Sequence, residues 1–384
     1  MTEAKAVPAL LRVLNERTVL DVVRAEGPIS RAEVARKTGI SRPTVSLVLR
    51  SLLEDGLVRE TSHDPARPHY GAVYYEADPD AAAVLAVDFG ARTVRTALGD
   101  LDGVVRAREE IRTRGSVGER IDALASSVRS LLRTSKLPAD LLENAVVALP
   151  AVVSPGDGTV SSADLPGLGA ADLRQELERA LRVPVTLEND VNLAAVAEQR
   201  HGVAQGVADF AFLLVGAGLG AAVVLDWKLH RGHNGNAGEL DAVRSGREDD
   251  VDPCAAAISK YAEERTAGQE TLLEPPFEVP EIFAAARAGD AAAAAIVDEA
   301  ARRIALHVLP IAATLDPPLV VLGGSVGANA ELLEPTRRHL AEWLPFPAPR
   351  LEVSALGEAA VIEGALSAGV TTALERVFAR RARA

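Results

Sequence analysis

Arginines and small hydroxyl side chains are concentrated in a ten-residue stretch near the N-terminus. The stretch contains Ser41, Arg42, Thr44, Ser46 and Arg50. Arginine can donate two hydrogen bonds to the edge of a guanine base, and hydroxyl groups commonly bind phosphate oxygens. These residue types at this spacing therefore indicate contact with double-stranded DNA.

Carboxylates and one amide form a second set, farther along the chain. An ionised carboxylate accepts hydrogen bonds without donating any, so three carboxylates and an amide suit a ligand with many hydroxyl groups. We predict that such a ligand is bound by Asp164, Asn189, Asp190 and Glu239. Two alternatives stay open: Asp190 could cap a helix that begins at Val191, and Asp164 could be a turn residue shortly before Pro166.

Helix signals place the DNA-contacting residues on the second helix of a helix-turn-helix. Ser30 and Glu33 have the spacing of a capping box, and Ser41 follows the turn as an N-cap with Pro43 in the first turn. Apolar residues then recur at i, i+3, i+4 and i+7, which predicts one buried stripe opposite the arginine and hydroxyl stripe. The buried stripe consists of Val45, Val48, Leu49 and Leu52.

Two extended runs after this helix predict a winged-helix hairpin. Gly56 ends the helix, one run begins at Leu57, and the second covers 71–75. Arg67 and His69 would lie at the tip of the wing, near a phosphate or a minor groove. The alternative is an ordinary helical hairpin in which serine and arginine only cap and solvate the helices.

The remainder alternates strand and helix signals, as in an α/β body. A β-hairpin is predicted over 83–98, a helix over about 117–135, and a second, similar hairpin over 211–225. Two similar hairpins predict duplicated lobes with a cleft between them. The alanine-rich run from Ala291 predicts a long buried helix that ends before Pro310.

Composition and charge separate the two parts. Residues 1–75 hold 11 Lys or Arg and 9 Asp or Glu, whereas the whole chain of 384 residues holds 41 and 54 and has a net charge of −13. Phosphate contact is therefore expected only in the N-terminal part. One cysteine, Cys254, excludes an internal disulfide and a cysteine cluster for zinc, which fits a reducing compartment. The absence of a signal-type segment or a run of 18 apolar residues predicts a cytoplasmic protein without membrane contact.

Six motifs in order resemble the ROK family (repressors, open reading frames, sugar kinases), in its transcription-factor branch with an N-terminal winged helix. The resemblance runs from about residue 10 to the end. It implies an α/β fold with an N-terminal winged helix-turn-helix and an actin-like, hexokinase-like two-lobed body that binds its ligand in the cleft. We expect a DNA-binding domain over 1–78 and a ligand-sensing body over 79–384, with the lobe boundary near 190–210. The motifs are the segments 30–33, 88–90, 188–192, 216–220, 231–239 and 320–324.

The same resemblance weighs against phosphoryl transfer. Sugar kinases of the family typically carry Asp-x-Gly-Gly-Thr-Lys at the first phosphate loop, where this chain has Ala91, Arg92 and Thr93 after Gly90. The second phosphate loop has Ala217 where kinases usually carry a polar residue. Asp190 matches the family's catalytic base, but a base without a phosphate donor transfers no phosphate.

The sugar and zinc positions of the family are altered too. Family members commonly follow the glutamate that matches Glu239 with a histidine that binds sugar and zinc, and this chain has Ala242 there. The cysteine-rich zinc motif is replaced by the segment 249–255, which supplies one thiol. We therefore expect neither a structural zinc nor a cofactor, with apolar packing or a shortened loop instead.

Three functions remain under consideration. The first is a transcriptional repressor, without catalytic residues, that binds an inverted-repeat DNA operator as a homodimer or dimer of dimers and responds to a sugar or sugar derivative. The second is a regulator whose cleft has degenerated and binds no sugar. The third is an active sugar kinase with a DNA-binding head.

Overall fold

The computed structural model describes residues 3–61, 73–90, 93–113, 115–161, 173–240 and 251–383. Its N-terminal head consists of three helices and a three-stranded antiparallel sheet with the strand order β1-β3-β2. The elements are α1 (Glu3–Glu26), β1 (Ile29–Ser30), α2 (Arg31–Thr38), α3 (Arg42–Glu54), β2 (Val58–Thr61) and β3 (Tyr74–Ala77). The winged helix-turn-helix prediction is confirmed.

Local capping fixes the two helices of the head. Glu33 Oε2 accepts hydrogen bonds from the Ser30 amide at 3.1 Å and the Ser30 hydroxyl at 2.7 Å, which completes the capping box. Ser41 Oγ accepts from the Thr44 amide at 3.4 Å, and Gly39 ends α2 with φ of 70°. All four residues of the predicted apolar stripe on α3 are buried: Val45, Val48, Leu49 and Leu52.

The first lobe of the body is a five-stranded sheet with the order β10-β7-β4-β5-β6. Strands β4, β5 and β6 are antiparallel neighbours, whereas β7 and β10 join parallel to β4. Its elements are β4 (Ala83–Phe89), β5 (Thr93–Asp100), β6 (Val105–Arg112), α4 (Val117–Ser135), β7 (Leu142–Leu149), β8 (Val152–Val153), β9 (Val160–Ser161), α5 (Leu173–Leu181), β10 (Val185–Asn189) and α6 (Asp190–His201).

The second lobe repeats this sheet. Its order is β13-β12-β11-β14-β15, again with an antiparallel hairpin and two parallel strands on the other side, so the predicted duplication is confirmed. The elements are β11 (Phe210–Val215), β12 (Leu219–Leu225), β13 (Lys228–His230), α7 (Ala255–Thr266), α8 (Val279–Arg287), α9 (Ala291–Leu315), β14 (Leu319–Gly323), α10 (Gly324–Gly327), α11 (Leu333–Trp343), β15 (Arg350–Val353) and α12 (Ala360–Arg383).

The predicted end of the alanine-rich helix is wrong. Helix α9 continues through Pro310 to Leu315. Proline removes one hydrogen bond of the helix, but the residues on both sides of it, Val308 and Ile311, are buried in the core of the second lobe. Tertiary packing therefore outweighs the local signal.

The last helix returns to the first lobe and reaches the head. Helix α12 packs against β4, β7 and α6, and also against α1 of the head. One buried cluster accordingly joins Leu20 and Val23 of α1, Leu101 after β5, and Leu366 and Phe378 of α12. None of the described helices is long and apolar enough to span a bilayer.

Candidate functional site

The exposed face of α3 is the candidate DNA-binding surface. Arg42 and Arg50 are both exposed. At 100° per residue, the face of α3 opposite the buried stripe contains Pro43, Leu47 and Arg50. Arg42 lies nearer the edge of the buried stripe. The geometry therefore places both predicted arginines on the free surface.

The hydroxyl groups at the start of α3 have partners within the helix. Ser41 Oγ and Thr44 Oγ1 lie 2.8 Å apart, and Ser46 Oγ donates to the Arg42 carbonyl at 2.8 Å. Each hydroxyl has one donor and two acceptor positions, so these hydrogen bonds do not exhaust its capacity. Phosphate binding by these hydroxyls stays a prediction. Arg67 lies outside the described residues.

Sequence reasoning missed Leu47, whose side chain is 65% exposed in the middle of this face. The signal was present, because Leu47 falls outside the i, i+3, i+4, i+7 stripe and so had to point away from the core.

The second candidate site is a cavity of about 420 Å³ between the two lobes. Its volume is within the range of small-molecule sites. Asp88 and Arg95 contribute from the first lobe, Phe212 and Ser325 from the second, and Glu358 from the turn before α12. Asp190, the first residue of α6, also lines it. The cleft predicted from the duplicated hairpins is therefore present.

Asp190 has a strained electrostatic environment. Burial, together with the negative charges of Asp88 and Glu239, raises the pKa of Asp190 to about 7, against the opposing effect of a hydrogen bond from the Val191 amide. That amide donates to Asp190 Oδ1 at 2.9 Å. Near neutral pH the Asp190 carboxyl is protonated in part of the molecules, so it can donate as well as accept a hydrogen bond. This suits a ligand with hydroxyl groups.

Asn189, not Asp190, caps α6. Asn189 Oδ1 accepts from the Asn192 amide at 3.1 Å, and Asn189 Nδ2 donates to the Ala151 carbonyl at 3.1 Å. The alternative, in which Asp190 acts only as the cap of this helix, therefore does not match the structure, where Asn189 is the cap. A ligand contact by Asn189 stays a prediction, and its amide is already engaged at both ends.

Glu239 lies on a loop whose glycines allow it to pack closely against the rest of the protein. Gly235 and Gly238 have φ of 87° and 93°, and an added Cβ would lie 2.4 Å from the Val153 carbonyl and 1.9 Å from the Ala221 carbonyl. An ion pair of 2.6 Å between Arg231 and buried Glu188 fastens the start of the same loop. Glu239 is half-buried, and burial raises its pKa. Its charge is felt at Asp190, so the two acids share one electrostatic environment.

A cation of the protein itself lies beside Asp88. Arg95 faces Asp88 across the β4–β5 hairpin, and its Nη1 lies 3.3 Å from Asp88 Oδ2. The guanidinium also lies 3.2 Å from Glu110 and 3.5 Å from Glu358 in the turn before α12. Burial raises the pKa of Asp88, and Arg95 acts in the opposite direction. The carboxylate of the first phosphate-loop motif is thus already paired.

Other predicted features lie partly outside the described residues. Asp164, Ala91, Arg92 and Ala242 are among those that are not described. Cys254 is 4% exposed and precedes α7, in agreement with a small core residue. In the segment where the family carries its zinc motif, Arg303 Nη1 donates to the Asp252 carbonyl at 2.9 Å. The described residues contain no group of three His, Cys, Asp or Glu side chains that could hold a metal ion.

Comparison with known proteins adds two family matches. The model described as ROK family matches residues 84–368, and the one described as winged helix-turn-helix DNA-binding matches residues 14–59. The chain belongs to the ROK family. Its winged head and its two-lobed body correspond to these two matches.

Individual relatives cover nearly the whole chain. The xylose repressor of Caldicellulosiruptor bescii is 24% identical over 93% of this chain and 96% of its own length. The crystal structure of a ROK family transcriptional regulator, a homolog of the E. coli MLC protein, has a TM-score of 0.78, 23% identity and coverage of 97% and 99%. A ROK family glucokinase from Streptomyces griseus, solved with glucose and AMPPNP, covers 75% of this chain and 99% of its own at a TM-score of 0.64 and 23% identity. The body fold is thus found with and without a head.

Proposed function

We propose that this ROK protein is a DNA-binding transcriptional repressor controlled by a sugar or sugar derivative bound between its lobes. The observation that carries the proposal is the connection between the two candidate sites. Helix α6 begins at Asp190 in the cleft and packs on α12, which packs on α1 of the head. A ligand that favours one arrangement of the lobes can therefore change the position of the head.

The ligand class follows from the chemistry of the cleft. Asp88, Asp190 and Glu358 line the cavity with carboxylates, and Phe212 and Leu214 supply an apolar wall. Glu239 does not line it, although its charge acts on Asp190. Such a combination suits a neutral sugar, whose hydroxyls donate to acids and whose C–H faces pack on apolar groups. The name of the similar xylose repressor supports the same class.

Arg95 favours a regulator over a kinase. A nucleotide bound with its metal ion would have to compete with the Arg95 guanidinium for Asp88. Phosphoryl transfer depends on a positioned donor and metal. We therefore propose that the protein is not an enzyme, needs no cofactor, and acts where its operator DNA is, in the cytoplasm.

The test begins with DNA. Genomic fragments that the purified protein retains are selected, and affinity for one of them is measured by mobility shift at fixed salt with pentoses, hexoses and N-acetylated hexosamines. We expect at least one sugar to raise the melting temperature and also to change the affinity for DNA. Failure to retain any fragment contradicts the DNA-binding role.

Two other outcomes select the competing functions. Specific DNA binding without a thermal shift from any sugar indicates the degenerate cleft. Sugar-dependent turnover of ATP by the purified protein indicates an active kinase and overturns the proposal that it is not an enzyme.

A further inference from the structure

Leu47 stands at the centre of the candidate DNA-binding face, although it is apolar. Its side chain is 65% exposed, whereas the apolar residues on the other side of α3 are at most 4% exposed. Leucine is normally among the most buried residues, and here it lies on the same line of the helix as Pro43 and Arg50. Within the described part of the chain, Leu47 belongs to none of the four buried apolar clusters of head and body.

The charges around Leu47 favour DNA over a protein as its partner. Exposed Arg50 lies one turn farther along the same face, exposed Arg42 lies in the first turn of α3, and the N-terminus of α3 adds the positive end of the helix dipole. Two arginines and a helix N-terminus on the same helix as one apolar side chain complement the phosphates that border a groove. In the major groove, the apolar group that each A·T pair presents is the 5-methyl group of thymine.

We propose that Leu47 reads thymine, by packing its side chain on the 5-methyl group of one thymine in each half of the operator. The proposal rests on the proposed DNA-binding function and adds a specificity determinant to it. Arg50, one turn farther along the same line, would contact the neighbouring base pair, so that leucine and arginine read adjacent positions.

The first arm of the test leaves the protein unchanged and removes the thymine methyl group from the DNA. In a selected operator fragment, each thymine is replaced in turn by deoxyuridine, which keeps base pairing and lacks only the 5-methyl group. We expect one symmetric pair of positions at which the wild-type protein loses affinity, by about fourfold for each half-site, the effect of one buried methyl group.

Leu47→Ala provides the second arm. The variant should bind the thymine operator about as weakly as the wild type binds the deoxyuridine operator, and should lose nothing more when deoxyuridine is introduced at that position. Leu272→Ala is the matched control, because Leu272 is 67% exposed on the body. It should bind both operators as the wild type does.

The outcomes separate this inference from the proposed function. Insensitivity of the wild type to deoxyuridine at every position, or an equal deoxyuridine penalty in Leu47→Ala, overturns the thymine contact while DNA binding stands. Failure to bind any selected DNA overturns the DNA-binding function itself. Since Leu47 is exposed, the melting temperature of Leu47→Ala should match that of the wild type and shows whether the variant is folded.

Discussion

At the scale of single residues, the cavity is lined by three acids, Asp88, Asp190 and Glu358, and by the cation Arg95, while Glu239 acts on Asp190 from outside the lining. Asp88, Asp190 and Glu239 all have raised pKa values because burial disfavours their charged forms. Arg95 offsets this for Asp88 by direct pairing. Asp190 has no such cation among the causes of its shift, so it is the acid with the most to gain from a ligand that donates hydrogen bonds.

Asp190→Asn should stabilise the ligand-free protein above neutral pH. The pKa of Asp190 is about 7 in the folded state and near 3.8 when unfolded, so the folded state retains a proton that the unfolded chain releases. Wild-type stability therefore falls as pH rises from about 4 through about 7, whereas the amide does not titrate. The full shift corresponds to about 4 kcal/mol, an upper limit because the surroundings relax.

Melting temperatures of both proteins between pH 4 and pH 8 check this expectation. The difference should be near zero at pH 4, grow through pH 7 and then level off. In the same variant the thermal shift produced by an effective sugar should become smaller, because the amide has half the acceptor capacity. A pH-independent difference would contradict the raised pKa.

Arg50→Ala and Arg42→Ala should weaken operator binding without unfolding the head. Both side chains are exposed, and loss of a bidentate base contact costs about 1–3 kcal/mol. Mobility-shift titrations at fixed salt measure the change, and Arg129→Ala, an exposed arginine on α4, is the control. Unchanged affinity in both variants removes α3 from the reading of DNA.

At the scale of elements, α6 and α12 carry the connection between cleft and head. The two helices cross closely at Gly364, where an added Cβ would lie 1.9 Å from the Leu193 carbonyl. The crossing is further held by a hydrogen bond of 3.1 Å between His201 and Ser367. Because this packing leaves no space, a displacement of α6 would also displace α12.

Gly364→Ala should therefore destabilise the protein and disturb the response to sugar. Overpacking of this kind costs about 1–3 kcal/mol. Gly118→Ala is a matched control, since Gly118 is also helical, but an added Cβ there would meet nothing closer than 4.0 Å. The control should gain up to about 1 kcal/mol from helix propensity. Chemical denaturation gives the free energy of unfolding of both variants. Equal changes in that free energy would rule out a tight crossing at Gly364.

Elements with local signals could be predicted from the sequence, and long-range contacts could not. The capping box at Ser30, the N-cap at Ser41 and the helix Val117–Ser135 depend on residues three or four apart. The contact between α6 and α12 joins residues far apart in sequence, and nothing local signals it. Arg95 is intermediate, because its pairing with Asp88 follows from the hairpin register, whereas its contact with Glu358 joins residues far apart in sequence.

At the scale of the whole molecule, the head is not attached as a flexible appendage. Val19, Leu20 and Val23 of α1 share a buried cluster with residues of the body. Arg24 Nη2 of α1 also donates to the Leu101 carbonyl of the body at 2.6 Å. The orientation of the head is therefore fixed by the body, and a change in the body is a change in where α3 points.

This rigidity predicts how operator spacing should act on binding. A single winged helix buries little surface, so we expect a dimer formed through the body to place two copies of α3 on an inverted repeat, about one helical turn or a multiple apart. Light scattering at the concentration that saturates DNA should show a dimer.

Insertion of about 5 base pairs between the half-sites turns one of them to the opposite face of the DNA and should abolish specific binding. Insertion of about 10 base pairs restores the face but not the distance, so fixed heads should also bind poorly, whereas flexibly tethered heads would recover. Recovery with the longer insert would contradict the shared core of head and body, and a monomer that saturates a single half-site would contradict the dimer.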